Sequence, residues 1–212
     1  RSYYNGQYFT GYLAGFLQVK GYSPEPDVAG MTTFLKIGYI PAPLTSLKGV
    51  SKVPAGTAVH FRDGRCRVEE LFPFEEVLHT ERKERPAEEA VEEYHALLRQ
   101  SIRRRIGDQA VAGTLLSGGY DSGGCIAILR EVHPGEIRSY SVGFRDNPAS
   151  ELPFARMMAE KFGAIHHEFI MDGSEIDYLP EIVRIMGDPF AESGVMLNYA
   201  AMKMVAGENL QV

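Results

Sequence analysis

Leu115-Leu116-Ser117-Gly118-Gly119-Tyr120-Asp121-Ser122 decides how this chain is read. On its N-terminal side an apolar run extends from Val111 to Leu116, and a second apolar stretch begins at Cys125 and continues through Leu129. The pattern is strand, small-residue turn, helix. Two adjacent glycines let the backbone take positive φ and come close to a ligand. Ser117 and Ser122 add hydroxyls. The helix that follows turns free N–H groups and the positive end of its dipole toward the loop, which makes the loop an anion site. Asp121 is the odd residue, because a carboxylate does not help bind phosphate directly. It fits if a Mg2+ stands between it and phosphate oxygens. An ordinary βα turn with a capping serine would account for glycines and hydroxyls alone. The full string Ser-Gly-Gly-x-Asp-Ser between a buried strand and a helix is much more specific.

Composition narrows the field. A length of 212 residues is enough for one to two domains and a real core. A hydrophobic content of 44% and a charged content of 24% are those of a soluble globular protein. The net charge of −6 gives no reason to expect nucleic acid as a partner. No apolar run approaches membrane-spanning length, so no membrane partner is expected. Cys66 and Cys125 lack metal-ligand spacing, and Cys125, in an apolar helix, is expected to be buried. This suits a reducing, cytoplasmic setting. Residue 1 is not methionine and there is no signal peptide, so the chain reads as a fragment or a processed piece.

Residues 1–80 show no catalytic constellation. The aromatic cluster Tyr3, Tyr4, Tyr8, Phe9 and Tyr12 is read as packing against a domain partner. Asp27 caps a short helix through Leu35. The prolines of Gly38-Tyr39-Ile40-Pro41-Ala42-Pro43-Leu44-Thr45 fix an extended turn. Thr57 to Phe61 alternates like a strand, and Arg62-Asp63-Gly64-Arg65 turns it into a return strand from Cys66 to Glu69. After a charged linker, Pro86 opens a helix whose apolar stripe is Ala87, Val91, Tyr94, Leu98, Ile102 and Ile106. Glutamates crowd its start and Arg103-Arg104-Arg105 its end, and Gly107 stops it. Matching to the helix dipole explains the arginine run more cheaply than a nucleic-acid patch.

Beyond the loop the pattern is α/β. Ile137 to Phe144 is a buried strand whose end, Ser141-Val142-Gly143-Phe144, falls where ligands sit in open α/β sheets. Ser150-Glu151 caps a helix that runs to Lys161 or Phe162, and Gly163 ends it. Ile165 to Ile170 is a third strand. Its neighbours His166 and His167 point to opposite faces, which favours structural roles over a metal clamp. A helix from Ile176 to Met186, a loop from Gly187 to Ser193, a helix from Val195 to Val205 and the start of a fourth strand at Leu210 complete the pattern.

The loop resembles the pyrophosphate loop of the ATP-pyrophosphatase group, which includes asparagine, GMP and NAD synthetases. The Gly-Lys-Ser/Thr of kinase and GTPase loops is absent. Over residues 25–212 the chain resembles the asparagine synthetase family in particular. The matching motifs are Gly38 to Thr45, Ser141-Val142-Gly143-Phe144, Ser150-Glu151 with Ala155, Gly163-Ala164-Ile165-His166-His167, and Asp188-Pro189. Val53-Pro54-Ala55-Gly56-Thr57 stands where the family has Leu-Pro-Pro-Gly-His.

The resemblance implies a doubly wound, mostly parallel α/β sheet of the adenine nucleotide alpha hydrolase type over 81–212. Ahead of it, residues 1–80 would be the tail of a glutaminase-like domain and a connector hairpin. It implies ATP and Mg2+ as ligands. Leu116, Val142 and Gly143 would meet the adenosine; Ser117, Gly118, Gly119 and Ser122 would hold pyrophosphate; Asp121 would share the metal. Asp188, Glu192 and Ser193 would face an amino-acid substrate with a free carboxylate, aspartate in the family. That carboxylate would be adenylated, and ammonia from a glutaminase domain of the same parent chain would displace AMP. A homodimer is a candidate assembly. The family's Ser/Thr-Gly-Glu-Gly-x-Asp-Glu loop, with its catalytic glutamate, and a later catalytic lysine are not among these 212 residues. Ligase turnover is therefore not expected of this piece alone. Three alternatives stay open: a β-lactam-synthetase-like enzyme, a non-catalytic adenine-nucleotide-binding module, which would not need Asp121, and a purely structural α/β domain.

Overall fold

The structure is a computed structural model, and it describes residues 2–63, 65–73, 75, 78–79, 84–145, 147–148, 150–192 and 194–208. In chain order the strands are β1 (Tyr3–Tyr4), β2 (Phe9–Thr10), β3 (Ser51–Lys52), β4 (Thr57–Arg62), β5 (Arg65–Glu70), β6 (Val111–Leu115), β7 (Glu136–Phe144) and β8 (Ile165–Met171). The helices are α1 (Val28–Ile37), α2 (Ala87–Ile106), α3 (Tyr120–Val132), α4 (Leu152–Lys161), α5 (Leu179–Met186) and α6 (Gly194–Gly207). Short 3-10 helices occupy Leu13–Gln18 and Ser174–Tyr178. The chain divides into two compact units, one of Arg1–Arg82 with Leu179–Ser193 and one of Lys83–Tyr178 with Gly194–Val212.

In the first unit, Asp27 caps α1 as expected: its Oδ1 accepts from Gly30 N at 2.7 Å. A Cβ at Gly30 would lie 1.9 Å from the Thr45 carbonyl oxygen, so α1 and the Gly38–Thr45 turn meet backbone to backbone. β1 lies between β2 and β3 in an antiparallel sheet, and β4 and β5 form the expected hairpin. Gly64 of its turn lies outside the described residues. Tyr3, Leu13, Phe16 and Val50 make the core. The aromatic cluster divides. Tyr3 is buried in this core, Tyr4 and Phe9 meet the Phe61 ring edge-on, and Tyr12 is exposed.

The second unit is built on the parallel sheet β6-β7-β8, with Leu115 opposite Tyr140 and Phe144 opposite Met171. Parallel neighbours require crossover connections, and α3 and α4 provide them. Residues of β7 alternate between faces. Ile137 packs with Ala112 and Leu129 against Ile102 and Ile106 of α2, and Leu116 and Ile126 pack with Ala155 and Ala159 of α4. The opposite face carries Arg138 and Tyr140. There Arg138 Nη1 lies 2.9 Å from Glu208 Oε2, just past the end of α6. The sheet is therefore covered on both faces, the α/β arrangement read from the sequence.

Local details differ from expectation. α3 begins at Tyr120 rather than near Cys125, so Asp121, Ser122 and both following glycines belong to its first turns. Cys125 is half-buried. In α2 only the C-terminal part of the stripe reaches the core, while Val91 and Tyr94 are 59% and 63% exposed. The helix from Ile176 resolves into a 3-10 turn followed by α5. Glu151 occupies the N-cap of α4 without a side-chain capping bond, and Ser150 Oγ accepts from Leu152 N at 3.3 Å instead. The fourth strand expected at Leu210 lies outside the described residues.

The two histidines separate as their alternation requires. His166 Nδ1 lies 2.8 Å from Ser139 Oγ on the face that carries Ile137, and His167 stacks on Tyr140 on the opposite face. His166 also approaches Glu168, whose two oxygens each accept from Arg156 at 2.7 Å.

Candidate functional site

β6 ends at Leu115, and Leu116 N continues the ladder by donating to Tyr140 O at 2.9 Å. The chain then leaves the sheet. Gly118 takes φ +84°. A Cβ there would come within 2.6 Å of Glu151 O and 3.2 Å of Ala155 N, both backbone atoms. Only glycine lets the loop lie against the start of α4.

Within the loop the hydroxyls are knit together. Ser122 Oγ accepts from Ser117 N at 3.1 Å, donates to Gly119 O at 3.2 Å, and lies 2.9 Å from Ser117 Oγ. Ser117 Oγ in turn accepts from Gly119 N at 3.3 Å. Ser117 N and Gly119 N, the donors that an anion would use, are thus held by the two serine hydroxyls of the loop. They sit at the N-terminus of a 13-residue helix. Such an end favours negative charge.

At this loop a cleft of about 490 Å³ opens beyond the carboxyl ends of β6 and β7. Of the residues read from the sequence, Leu116, Ser117, Ser122, Val142 and Gly143 line it together. Leu116 is buried, and Gly143 is so tightly covered that a Cβ there would meet Leu152 Cδ1 at 2.5 Å. The wall is thus apolar at Leu116, Val142 and Gly143 and polar at Ser117 and Ser122. Gly118 and Gly119 line a second hollow, between the start of α3 and Phe154 and Met157 of α4; Glu151 borders both. Asp121 is exposed in the first turn of α3.

The segment around Asp188 belongs to the other unit. The Asp188 carboxylate is buried there: Oδ1 accepts from Ser46 N at 2.9 Å and Ser46 Oγ at 2.7 Å, and Oδ2 pairs with Lys52 Nζ at 2.7 Å. Lys52 also donates to Ile40 O. Glu192 is exposed, and Ser193 lies outside the described residues. Among the described residues no group of three or more His, Cys, Asp or Glu side chains could hold a metal by itself. Among the described residues no helix is long and apolar enough to cross a membrane.

Sequence reasoning missed several lining residues. Tyr140 lines the cleft two positions before Val142, and burial pushes its phenol up from its ordinary value. Leu197, Asn198 and Ala201 come from α6. Ser141, which the sequence placed at the strand end where ligands sit, also lines the cleft. Nothing local marks the α6 residues, which reach the cleft only through tertiary packing.

The family model for asparagine synthase matches residues 93–212. The chain belongs to the asparagine synthase family. Among curated relatives, asparagine synthetase (glutamine-hydrolyzing) 1 of Bacillus subtilis is 27% identical over 84% of this chain and 28% of its own length. A putative asparagine synthetase (glutamine-hydrolyzing) 2 of Methanocaldococcus jannaschii is 22% identical over 92% of this chain and 38% of its own. A putative asparagine synthetase (glutamine-hydrolyzing) of Mycobacterium bovis is 26% identical over 87% and 28%. The chain thus spans well under half of the length of these relatives. A solved structure of NH3-dependent NAD synthetase from Campylobacter jejuni, in complex with nitrate, is 13% identical over 54% of this chain and 48% of that one, with a TM-score of 0.38.

Proposed function

We propose that the cleft at the ends of β6 and β7 binds ATP with Mg2+, and that the enzyme to which this chain belongs uses it to make an amide from a carboxylic acid. The observation that carries this reading is the loop itself. Ser117 N and Gly119 N lie just ahead of a helix N-terminus, Gly118 is irreplaceable by geometry, and the apolar strand ends lie alongside. The base and ribose would lie against Leu116, Val142 and Gly143, and the β- and γ-phosphates would sit on Ser117 to Ser122.

In the reaction, a carboxylate oxygen of an amino acid attacks the α-phosphorus and the bond to pyrophosphate breaks. Nitrogen of ammonia then attacks the carbonyl carbon of the acyl-adenylate, AMP leaves with the electron pair of its oxygen, and a proton is lost from nitrogen. Aspartate is the proposed acid and glutamine the proposed source of ammonia, through a glutaminase domain whose tail would be residues 1–80. Backbone donors fixed at the loop stabilise charge on the departing pyrophosphate without reorganising.

Mg2+ fits the residues present, since it keeps most of its waters and needs only one or two carboxylates beside phosphate oxygens. The exposed Asp121 supplies one. The ion would neutralise charge on the phosphates. In the segment 187–193, Asp188 is engaged by Ser46 and Lys52. We therefore assign it a scaffold role.

Calorimetry with ATP tests this reading. Asp121→Ala should weaken binding about tenfold, roughly 1.4 kcal/mol, with Mg2+ and leave it unchanged in EDTA. Equal loss in both conditions, or none in either, would count against a metal-bridged pyrophosphate loop.

A further inference from the structure

The peptide between Leu116 and Ser117 joins the sheet to the loop. Its carbonyl accepts a hydrogen bond from Ser141 Oγ, and its N–H donates to Ser122 Oγ at 3.1 Å. A trans peptide is planar, and its C=O and N–H point in opposite directions. Holding one therefore aims the other. Ser141 is 3% exposed, on the middle strand β7, and it lines the cleft. We propose that Ser141 is the positioning residue of the anion loop: by holding the Leu116 carbonyl toward β7 it turns the Ser117 N–H toward the Ser122 hydroxyl, inside the loop where an oxyanion would take that hydroxyl's place.

The same strand supplies a control. Ser139 stands two residues earlier on the same face and is fully buried, but its hydroxyl goes to His166, away from the loop. Loss of either hydroxyl removes a buried hydrogen bond, and the two should cost comparable stability. Only loss of Ser141 should release the Leu116–Ser117 peptide. The proposal deepens the reading of the cleft as a nucleotide site, yet the aim of the peptide can be measured with no ligand present.

The test uses the 212-residue chain and its Ser141→Ala and Ser139→Ala variants. Amide hydrogen exchange at Ser117 is followed by NMR, and binding of magnesium pyrophosphate by calorimetry. Ser141→Ala should raise exchange at Ser117 at least tenfold and weaken pyrophosphate about tenfold. Ser139→Ala should leave both within twofold of wild type. If Ser141→Ala does not fold, the near-isosteric Ser141→Cys, with its weaker donor, carries the same measurement. Unchanged Ser117 exchange on altering Ser141, or an equal rise in Ser139→Ala, would overturn the assignment. Absence of pyrophosphate binding by the wild-type chain would instead count against the nucleotide reading, because the exchange comparison judges Ser141 alone.

Discussion

Gly118 and Gly124 lie six residues apart in the sequence and answer to opposite constraints. Gly118 has φ +84°, and its missing Cβ leaves room for Glu151 O, a backbone atom that no rotamer change can move. Gly118→Ala should therefore destabilise the chain by about 1–3 kcal/mol, read as a lower urea midpoint. It should also weaken ATP, since the loop must shift off α4. Gly124 sits inside α3 with nothing within 4 Å of an added Cβ. Gly124→Ala should leave stability unchanged or raise it by about 0.5–1 kcal/mol, in the same urea experiment. Sequence alone shows both as glycines near a loop. The φ and the neighbour that distinguish them are tertiary facts.

The elements are tied together by one cation and one relay. Arg130, near the end of α3, donates through Nε to Phe162 O at 2.9 Å, through Nη1 to His133 O at 3.2 Å and Gly135 O at 3.0 Å, and through Nη2 to Gly163 O at 3.3 Å. It satisfies carbonyls just past the ends of two helices at once, groups that helix geometry leaves without partners. Arg130→Met keeps the aliphatic stem and removes the donors. It should cost about 2–4 kcal/mol, measured as urea unfolding free energy.

The relay Ser139–His166–Glu168–Arg156 makes a pH prediction. Burial holds the His166 imidazole below its ordinary value of 6.5 despite the nearby Glu168. The Arg156 guanidinium holds the Glu168 carboxyl below 4.5. A depressed histidine binds fewer protons folded than unfolded, so its contribution is complete above pH 6.5 and erodes as pH falls below it. The contribution of Glu168 is complete above 4.5 and is lost as pH falls further, the same direction at a lower window. Stability should decline from pH 7.5 to 5.5, and His166→Gln should flatten that decline. A decline of the same slope in His166→Gln would assign it to other groups.

At the scale of the whole molecule, the sequence was most informative where local pattern and function coincide. Alternating apolar runs and glycine punctuation predicted the order of strands and helices from Val111 to Met171, and the residues Leu116, Ser117, Ser122, Val142 and Gly143 do come together at one cleft. Periodicity identified the apolar face of α2 but not how far the core extends beneath it, hence the exposed Val91 and Tyr94. Asp188 was expected to face the substrate because the resemblance to the asparagine synthetase family puts Asp188-Pro189 in the loop that faces it. Its pairing with Lys52 depends on a contact between segments distant in sequence, which no local pattern records. The same holds for the α6 residues of the cleft and for Arg130. The central claim, that the β6–β7 strand ends and the Ser117–Ser122 loop form one nucleotide site, is tested most directly by titrating Mg·ATP into the isotope-labelled chain and mapping amide shifts by NMR. The account predicts that the largest changes fall on Leu116 to Ser122 and on Val142 and Gly143. Shifts centred elsewhere, for example on Phe154 to Met158, or no shifts at saturating ATP, would contradict it.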